Sequence, residues 1–359
     1  MRPFILHVVG ARPNFMKAAP VIRALGERGV AQLVVHTGQH YDRALSQVFF
    51  VQLGLPEPDV NLGVGSGTHA QQTAALMTGL EAQFVERRPA LVVVYGDVNS
   101  TLAAALVASK LLIPVAHVEA GLRSFDLTMP EEINRRVTDS LSALLLVTSP
   151  EAMAYLAQEG VDPSAMHLVG NPMIDTLLSN LERFDPQRVR GELGLGERYA
   201  VSTLHRPANV DEPATARAIV AALADVGASL PVVIPLHPRG RASLHRAGLG
   251  DAPGVRVVDP LGYVEFLSLV RGASLVLTDS GGIQEETTVL GVPCLTIRPN
   301  TERPITITHG TNRLVAPGEV AKEAAAILDG TTRFPTQRPP LWDGQAGPRI
   351  ASIIDELYG

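Results

Sequence analysis

Residues 278–286 read Thr-Asp-Ser-Gly-Gly-Ile-Gln-Glu-Glu and stand directly behind the apolar run 273–277. That run reads as a buried strand, and Ser280-Gly281-Gly282 then turns the chain into a helix. Glycines leave room for backbone N–H groups to close on a phosphate, and a helix N-terminus adds partial positive charge there. Glu285 and Glu286 follow on the first turn or so, within reach of a ribose carried by that phosphate. The order of groups suits a nucleoside diphosphate. Ser-Gly-Gly alone equally makes an ordinary strand–turn–helix corner, so the weight falls on what the other strand ends carry.

After the first apolar run comes Gly10-Ala11-Arg12-Pro13, with Lys17 about a turn into a helix. Two cations there suit a diphosphate, although a capped helix with solvated charges gives the same pattern. Tyr95-Gly96-Asp97 precedes a helix opening at Asn99, where a lone aspartate commonly caps. His117-Val118-Glu119-Ala120-Gly121-Leu122-Arg123 places an acid at the end of a hydrophobic strand, which capping does not explain. Pro130 starts a helix with Glu131 and Arg135 at i and i+4, a spacing that also makes a surface ion pair worth a few tenths of a kcal/mol. Thr203-Leu204-His205-Arg206 and Pro235-Leu236-His237-Pro238-Arg239 each put a histidine and an arginine just past a strand. Two such histidines in corresponding positions weigh more than one. The acids and histidines are too dispersed for metal-ligand spacing, and the first βα turn lacks Gly-x-Gly-x-x-Gly. Neither a metal nor a nicotinamide cofactor is expected.

These residues need elements that bring strand ends together. Apolar strands are expected at 5–9, 32–37, 91–95, 115–118 and 144–148, then at 200–204, 232–236, 255–258, 275–278 and 294–297. Helical patterns such as 101–112, 131–141, 214–226 and 322–328 lie between them. Strands apolar on both faces, alternating with helices, predict parallel sheets covered on both sides. The fold class expected is α/β, with two doubly wound, Rossmann-like domains in tandem facing a cleft. Their ligands would lie at the C-terminal ends of the strands. The break is expected near 169–172, giving domains 1–170 and 171–340.

Composition narrows the classes further. The 359 residues are 46% hydrophobic and 18% charged, ordinary for a globular chain with a sizeable core. A formal charge of −6 provides no basic footprint for nucleic acid. Cys294 is the only cysteine, which excludes an intramolecular disulfide. The apolar start lacks the flanks of a secretion signal, and no apolar run approaches the ~18 residues of a membrane span. A cytoplasmic protein without membrane contact is expected.

Taken together, the segments resemble the non-hydrolysing UDP-N-acetylglucosamine 2-epimerases over nearly the whole chain. The resemblance is carried by GARPNFMKAAPV (10–21), TGQHYD (37–42), YGDVNSTLAAAL (95–106) and HVEAGLRS (117–124). MPEEINRRVTD (129–139), VGNPMIDTL (169–177), TDSGGIQEE (278–286) and NTERP (300–304) complete it. The resemblance implies the glycosyltransferase-B arrangement, a C-terminal segment 341–359 crossing back to the first domain, and a homodimer. It assigns Ser280, Gly281 and Gly282 to phosphate, Glu286 to ribose, and Leu261 with Phe266 to uracil. Arg12, Lys17, Arg135, His237 and Arg303 match substrate-binding positions, and Asp97, Glu119, Glu131 and His205 match the catalytic candidates. It implies a UDP-sugar whose C2 is inverted through loss of UDP to 2-acetamidoglucal and its return, with no cofactor.

Two departures stand out. Pro207 and Ala208 occupy positions where many members read Arg-Glu. That arginine helps bind a regulatory UDP-N-acetylglucosamine, so Pro207 argues against such activation. Asn14 stands where many members carry glutamate. The TGQHYD and HVEAGLRSF forms are shared with relatives acting on modified sugars, including 2,3-diacetamido uronic acid derivatives. A hydrolysing 2-epimerase, releasing N-acetylmannosamine and UDP, is the main alternative.

Overall fold

The computed structural model describes residues 3–38, 53–236, 238–335 and 337–359. Their contacts gather into two units, Met1–Ser179 with Pro340–Gly359, and Asn180–Pro339. Both are α/β and doubly wound.

The first unit holds a seven-stranded sheet. Its strands are β1 (Ile5–Val9), β2 (Gln32–His36), β3 (Val60–Asn61), β4 (Leu91–Tyr95), β5 (Val115–Ala120), β6 (Leu144–Val147) and β7 (Met166–Leu168). They run parallel in the order β3-β2-β1-β4-β5-β6-β7. Every residue of β1 and β4 is buried, which is why neither strand alternates polar with apolar. Leu76, Leu80 and Phe84 recur at helical spacing along His69–Arg87 and meet Leu6, Val8, Val92 and Val94 on one face of the sheet. Alanines 103, 104, 105 and 108 let the helix Asn99–Lys110 lie close on the same core.

The C-terminal helix Ala346–Tyr358 packs on Arg12–Glu27 and Pro172–Ser179. A Cβ on Gly347 would stand 2.7 Å from the Pro20 carbonyl oxygen, so only glycine permits that approach. Its first-turn amides are satisfied from another helix, since Asp175 accepts from the N–H groups of Ala346 at 3.1 Å and Gly347 at 2.7 Å. Burial pushes the Asp175 carboxyl up to about 6 against those donors. Trp342 Nε1 donates to the Thr148 carbonyl at 3.0 Å. The break expected at 170/171 falls instead after Ser179. Pro172 marks the start of a helix that belongs to the first unit, through Asp175 and through Thr176 Oγ1 on the Met16 carbonyl at 2.6 Å.

The second unit holds a six-stranded sheet. Its strands are β8 (Ala200–Thr203), β9 (Val232–Pro235), β10 (Val255–Val258), β11 (Leu275–Thr278), β12 (Cys294–Thr296) and β13 (Asn312–Leu314). They run parallel as β10-β9-β8-β11-β12-β13. Ile219, Leu223 and Val226 of the helix Pro213–Gly227 pack with Ile234, Leu277 and Leu295 in its core. Cys294 is a buried thiol pushed up to about 12 by that burial, a small core residue. No described helix is long and apolar enough to cross a membrane.

Candidate active site

In both sheets the strand order reverses beside the first strand of the unit, between β1 and β4 and between β8 and β11. Open α/β sheets bind ligands at that switch point, outside the carboxyl ends of the strands. Of the residues expected from sequence, Lys17, Asp97 and Glu119 lie on elements beside that point in the first unit, and His205 and Ser280–Gly282 follow β8 and β11 in the second.

In the first unit, Arg12 opens the helix after β1, and its side chain lies outside the described geometry. Asn14 ties the two strand ends together. Its Oδ1 accepts from the N–H groups of Gly10 at 3.1 Å and Ala11 at 2.9 Å, and its Nδ2 donates to the Tyr95 carbonyl at 2.7 Å. A glutamate could accept those amides but could not donate to Tyr95 when ionised. Lys17, one turn further, donates to Glu119 Oε2, and both side chains are buried.

Glu119 reaches that lysine because β5 is irregular. The register against β6 shifts between Val118 and Ala120, and Glu119 has φ +75°. A bulge re-aims one side chain at the cost of a disfavoured backbone, roughly 1–3 kcal/mol for a non-glycine residue. Opposite it, Gly96 has φ +64°, and a Cβ there would stand 2.9 Å from Lys17 Nζ.

Asp97 follows Gly96, and its Oδ2 takes Arg135 Nη2 at 2.5 Å. Arg135 also pairs with Glu132, which in turn accepts from Ser124 N and Oγ, both at 2.9 Å. The surface ion pair that the i, i+4 spacing of Glu131 and Arg135 also allowed does not form. Arg135 is 2% exposed and turns toward Asp97 and Glu132, whereas Glu131 is exposed in the first turn of Pro130–Leu141. Beneath this group lies His117, with Nδ1 on Asp139 at 2.6 Å and Nε2 on the Gly96 carbonyl at 2.7 Å. Burial raises the Asp139 carboxyl, but His117 and Arg123 outweigh it and hold it below the usual range.

In the second unit, Ser280 precedes the helix Gly281–Leu290, and the half-buried Ser280-Gly281-Gly282 turn carries its first amides. Those amides have no partners within the helix and form a ready anion site. Side-chain bulk is excluded because a Cβ on Gly281 would collide with the Arg303 guanidinium. Arg303 Nε lies 2.9 Å from Glu285 Oε1, and Arg303 also pairs with Glu302. Glu302 takes Arg298 at 2.7 Å and Arg206 at 3.5 Å. Two buried guanidinium groups, of Arg298 and Arg303, and the partly exposed one of Arg206 thus meet the carboxylates of Glu285 and Glu302 beside the turn.

Glu286 is 3% exposed, and its Oε1 makes no hydrogen bond. Burial pushes its carboxyl up to about 8; the neighbouring Tyr263 hydroxyl pulls the other way and Glu285 adds to the rise. Tyr263 lies close enough for that influence, yet its hydroxyl makes no bond of ordinary geometry. Leu261 and Phe266 are half-buried at and before the helix Tyr263–Arg271.

His205 lies just past β8, its ring 57% exposed, with Nδ1 3.0 Å from Asp279 Oδ1. Burial alone would raise Asp279, but the His205 ring first, then the Arg206 amide and Asn209, hold it below the usual carboxylate range. His237 lies outside the described residues, as do residues 39–42 of the TGQHYD segment. Among the described residues, no three His, Cys, Asp or Glu side chains are grouped to hold a metal ion.

Several members of these clusters were not singled out from sequence. Glu132 is next to the chosen Glu131, and only the helix phase separates the buried acid from the exposed one. Asp139 reads as one more polar helix residue. Asp279 sits inside the motif that was singled out, and its place directly after a buried strand was the signal available.

Comparison with known proteins places the chain in one family and one fold. The family model described as UDP-N-acetylglucosamine 2-epimerase matches residues 23–355. The chain is 42% identical over 361 residues to a UDP-2,3-diacetamido-2,3-dideoxy-D-glucuronate 2-epimerase of Pseudomonas aeruginosa, covering 98% of this chain and 99% of that enzyme. It is 40% identical to a UDP-N-acetylglucosamine 2-epimerase of Methanocaldococcus jannaschii, covering 98% of each. The crystal structure of a Methanocaldococcus jannaschii UDP-GlcNAc 2-epimerase with UDP-GlcNAc and UDP superimposes with a TM-score of 0.90 at 39% identity, over 98% of this chain and 99% of that one.

Proposed function

Because the chain belongs to the UDP-N-acetylglucosamine 2-epimerase family, we propose that it interconverts UDP-N-acetylglucosamine and UDP-N-acetylmannosamine without hydrolysis. The enzyme is an isomerase acting on a UDP-sugar. A base removes the C2 proton as the C1–O bond to UDP breaks. The C–H electron pair becomes the C1=C2 bond of 2-acetamidoglucal, and the C–O pair leaves on UDP. An acid then returns a proton to C2 on the opposite face, and a UDP oxygen re-forms the bond at C1.

The observation that carries this reading is the buried Lys17–Glu119 pair, held at a bulge in β5, next to the strand β4 at which the order reverses. It supplies a carboxylate aimed at a ligand position together with a cation to balance it. Asp97, Glu131 and His205 supply the remaining proton transfers. Arg12, Lys17, Arg135, His237 and Arg303 hold the nucleotide sugar, and Ser280, Gly281 and Gly282 hold the diphosphate. Glu286, whose Oε1 has no partner, is suited to a ribose hydroxyl, and Leu261 with Phe266 frames the base. No metal or redox cofactor enters these steps. The 42% identity to the Pseudomonas aeruginosa enzyme favours a second substrate, a 2,3-diacetamido uronic acid carried on UDP. We further propose a homodimer acting in the cytoplasm, with a product that feeds polysaccharide biosynthesis.

Proton NMR of the purified protein with each UDP-sugar in D2O tests the proposal. The expected result is deuterium at C2 in a manno-configured product still bound to UDP. Free N-acetylmannosamine accumulating with UDP would overturn the non-hydrolysing reading.

A further inference from the structure

We propose that Asp279 is a positioning residue that fixes the tautomer of His205, so that Nε2 is the atom through which His205 exchanges a proton with the substrate. This deepens the acid–base role given to His205 above and rests on it.

The argument begins with the sheet. Thr278, the last residue of β11, lies opposite Thr203, the last of β8, and their hydroxyls meet at 2.7 Å. Asp279 therefore leaves the sheet beside the segment that carries His205. Its side chain is 0% exposed. A carboxylate so buried needs donors on both oxygens. They come from the loop after β8: His205 N at 3.1 Å, Arg206 N at 3.0 Å and Asn209 Nδ2 at 3.1 Å, all on Oδ2. Asn209 is itself held by the Ile297 carbonyl at 3.0 Å. The main chain on either side of His205 is thus pinned to one carboxylate.

The ring completes the set, with His205 Nδ1 3.0 Å from Asp279 Oδ1. An ionised carboxylate only accepts, so Nδ1 carries the proton that it donates. In neutral imidazole Nε2 then holds the lone pair, and it belongs to a ring that is 57% exposed. Neutral His205 is a base at Nε2, and the imidazolium it becomes is stabilised by Asp279 and can return the proton from the same atom. The other charged groups nearby are Arg206, whose Nε donates to the Asp279 carbonyl at 3.0 Å, and Glu302, 3.5 Å from Arg206 Nη2. Glu302 is engaged by Arg206, Arg298 and Arg303, which leaves Asp279 as the carboxylate in contact with the ring.

The test uses Asp279→Asn beside His205→Gln, with 15N-histidine labelling read by NMR. Asp279→Asn should lower kcat about 10²-fold, the scale of losing a general acid or base, while leaving KM and UDP affinity near wild type. The nitrogen shifts of His205 should also change in this variant, because a neutral amide no longer accepts from Nδ1–H on both oxygens as the carboxylate can. In the wild type, the nitrogen shifts of neutral His205 should report Nδ1–H; should the variant fail to fold, this measurement decides the tautomer by itself. Nε2–H in the wild type overturns the proposal, as does Asp279→Asn with unchanged kcat and unchanged His205 nitrogen shifts when His205→Gln is impaired. An active His205→Gln enzyme would instead remove the acid–base role of His205, whatever the tautomer.

Discussion

Gly96 and Glu119 occupy one space: a Cβ on Gly96 would stand 3.1 Å from Glu119 Oε2. Both residues have positive φ, +64° and +75°, a conformation glycine takes freely but Glu119 adopts only with strain. Strain of this kind persists only where the surroundings enforce it. Here the enforcing neighbours are Lys17 on one side and the Asn14 bridge to Tyr95 on the other.

Gly96→Ala should therefore damage activity more than folding. The left-handed backbone penalty for alanine is roughly 1–2 kcal/mol, enough to lower Tm by a few degrees. Displacing Lys17 from Glu119 should lower turnover by roughly tenfold or more. Comparing kcat with Tm checks this, and a variant with normal kcat would show that the pair tolerates rearrangement.

Glu119→Gln keeps the shape and removes the charge. Turnover should fall about 10²-fold or more, with UDP still bound, since the loss is of a proton-transfer group. Calorimetric titration with UDP alongside steady-state rates separates the two effects. Near wild-type turnover would demote Glu119 to a structural role.

Glu286 makes stability depend on pH in an unusual direction. Its carboxyl is raised from 4.5 to about 8 by burial, so between those values the folded protein holds a proton that the unfolded chain has released. Stability from this group is highest below pH ~4.5, falls as pH rises, and stops falling once the folded group also ionises above about 8, a total effect of a few kcal/mol. Glu286→Gln should remove that slope, be more stable than the wild type at pH 8, and bind UDP less tightly. Thermal melts from pH 5 to 9, with and without UDP, check all three outcomes.

Elimination and return of UDP move protons and a leaving group but no hydride. Activity should survive EDTA and need no added NAD, with divalent ions carried in by the nucleotide controlled for. A loss on chelation that a divalent ion restores would show a metal requirement.

The architecture was legible from sequence where burial is complete on both faces. β1 and β4 contain almost nothing but apolar residues, and their helices follow at regular spacing. The strands β3, β7 and β13 were missed because two or three residues at or near a sheet edge carry no period. The domain break expected near 169–172 falls after Ser179, because the helix Pro172–Ser179 is tied to the first unit by Asp175 and Thr176, a packing relationship with no sequence signal. Within the site, strand-end position singled out Glu119, Asp97 and His205. The sequence could not show that a bulge aims Glu119 at Lys17, that Arg135 turns to Glu132 rather than Glu131, or that Asp279 holds His205. Those relationships depend on register and helix phase to within a single residue.

The return of Pro340–Gly359 to the first unit has a bearing on how the chain is made. A ribosome delivers all of Asn180–Pro339 before the helix that covers Pro20 and satisfies Asp175. The second unit can close its sheet during synthesis, while the first waits with an open flank along Arg12–Glu27 and Pro172–Ser179. Nascent chains halted before residue 340 should thus expose that flank to proteases and chaperones, so the unit whose sheet is synthesised first is the last to be covered.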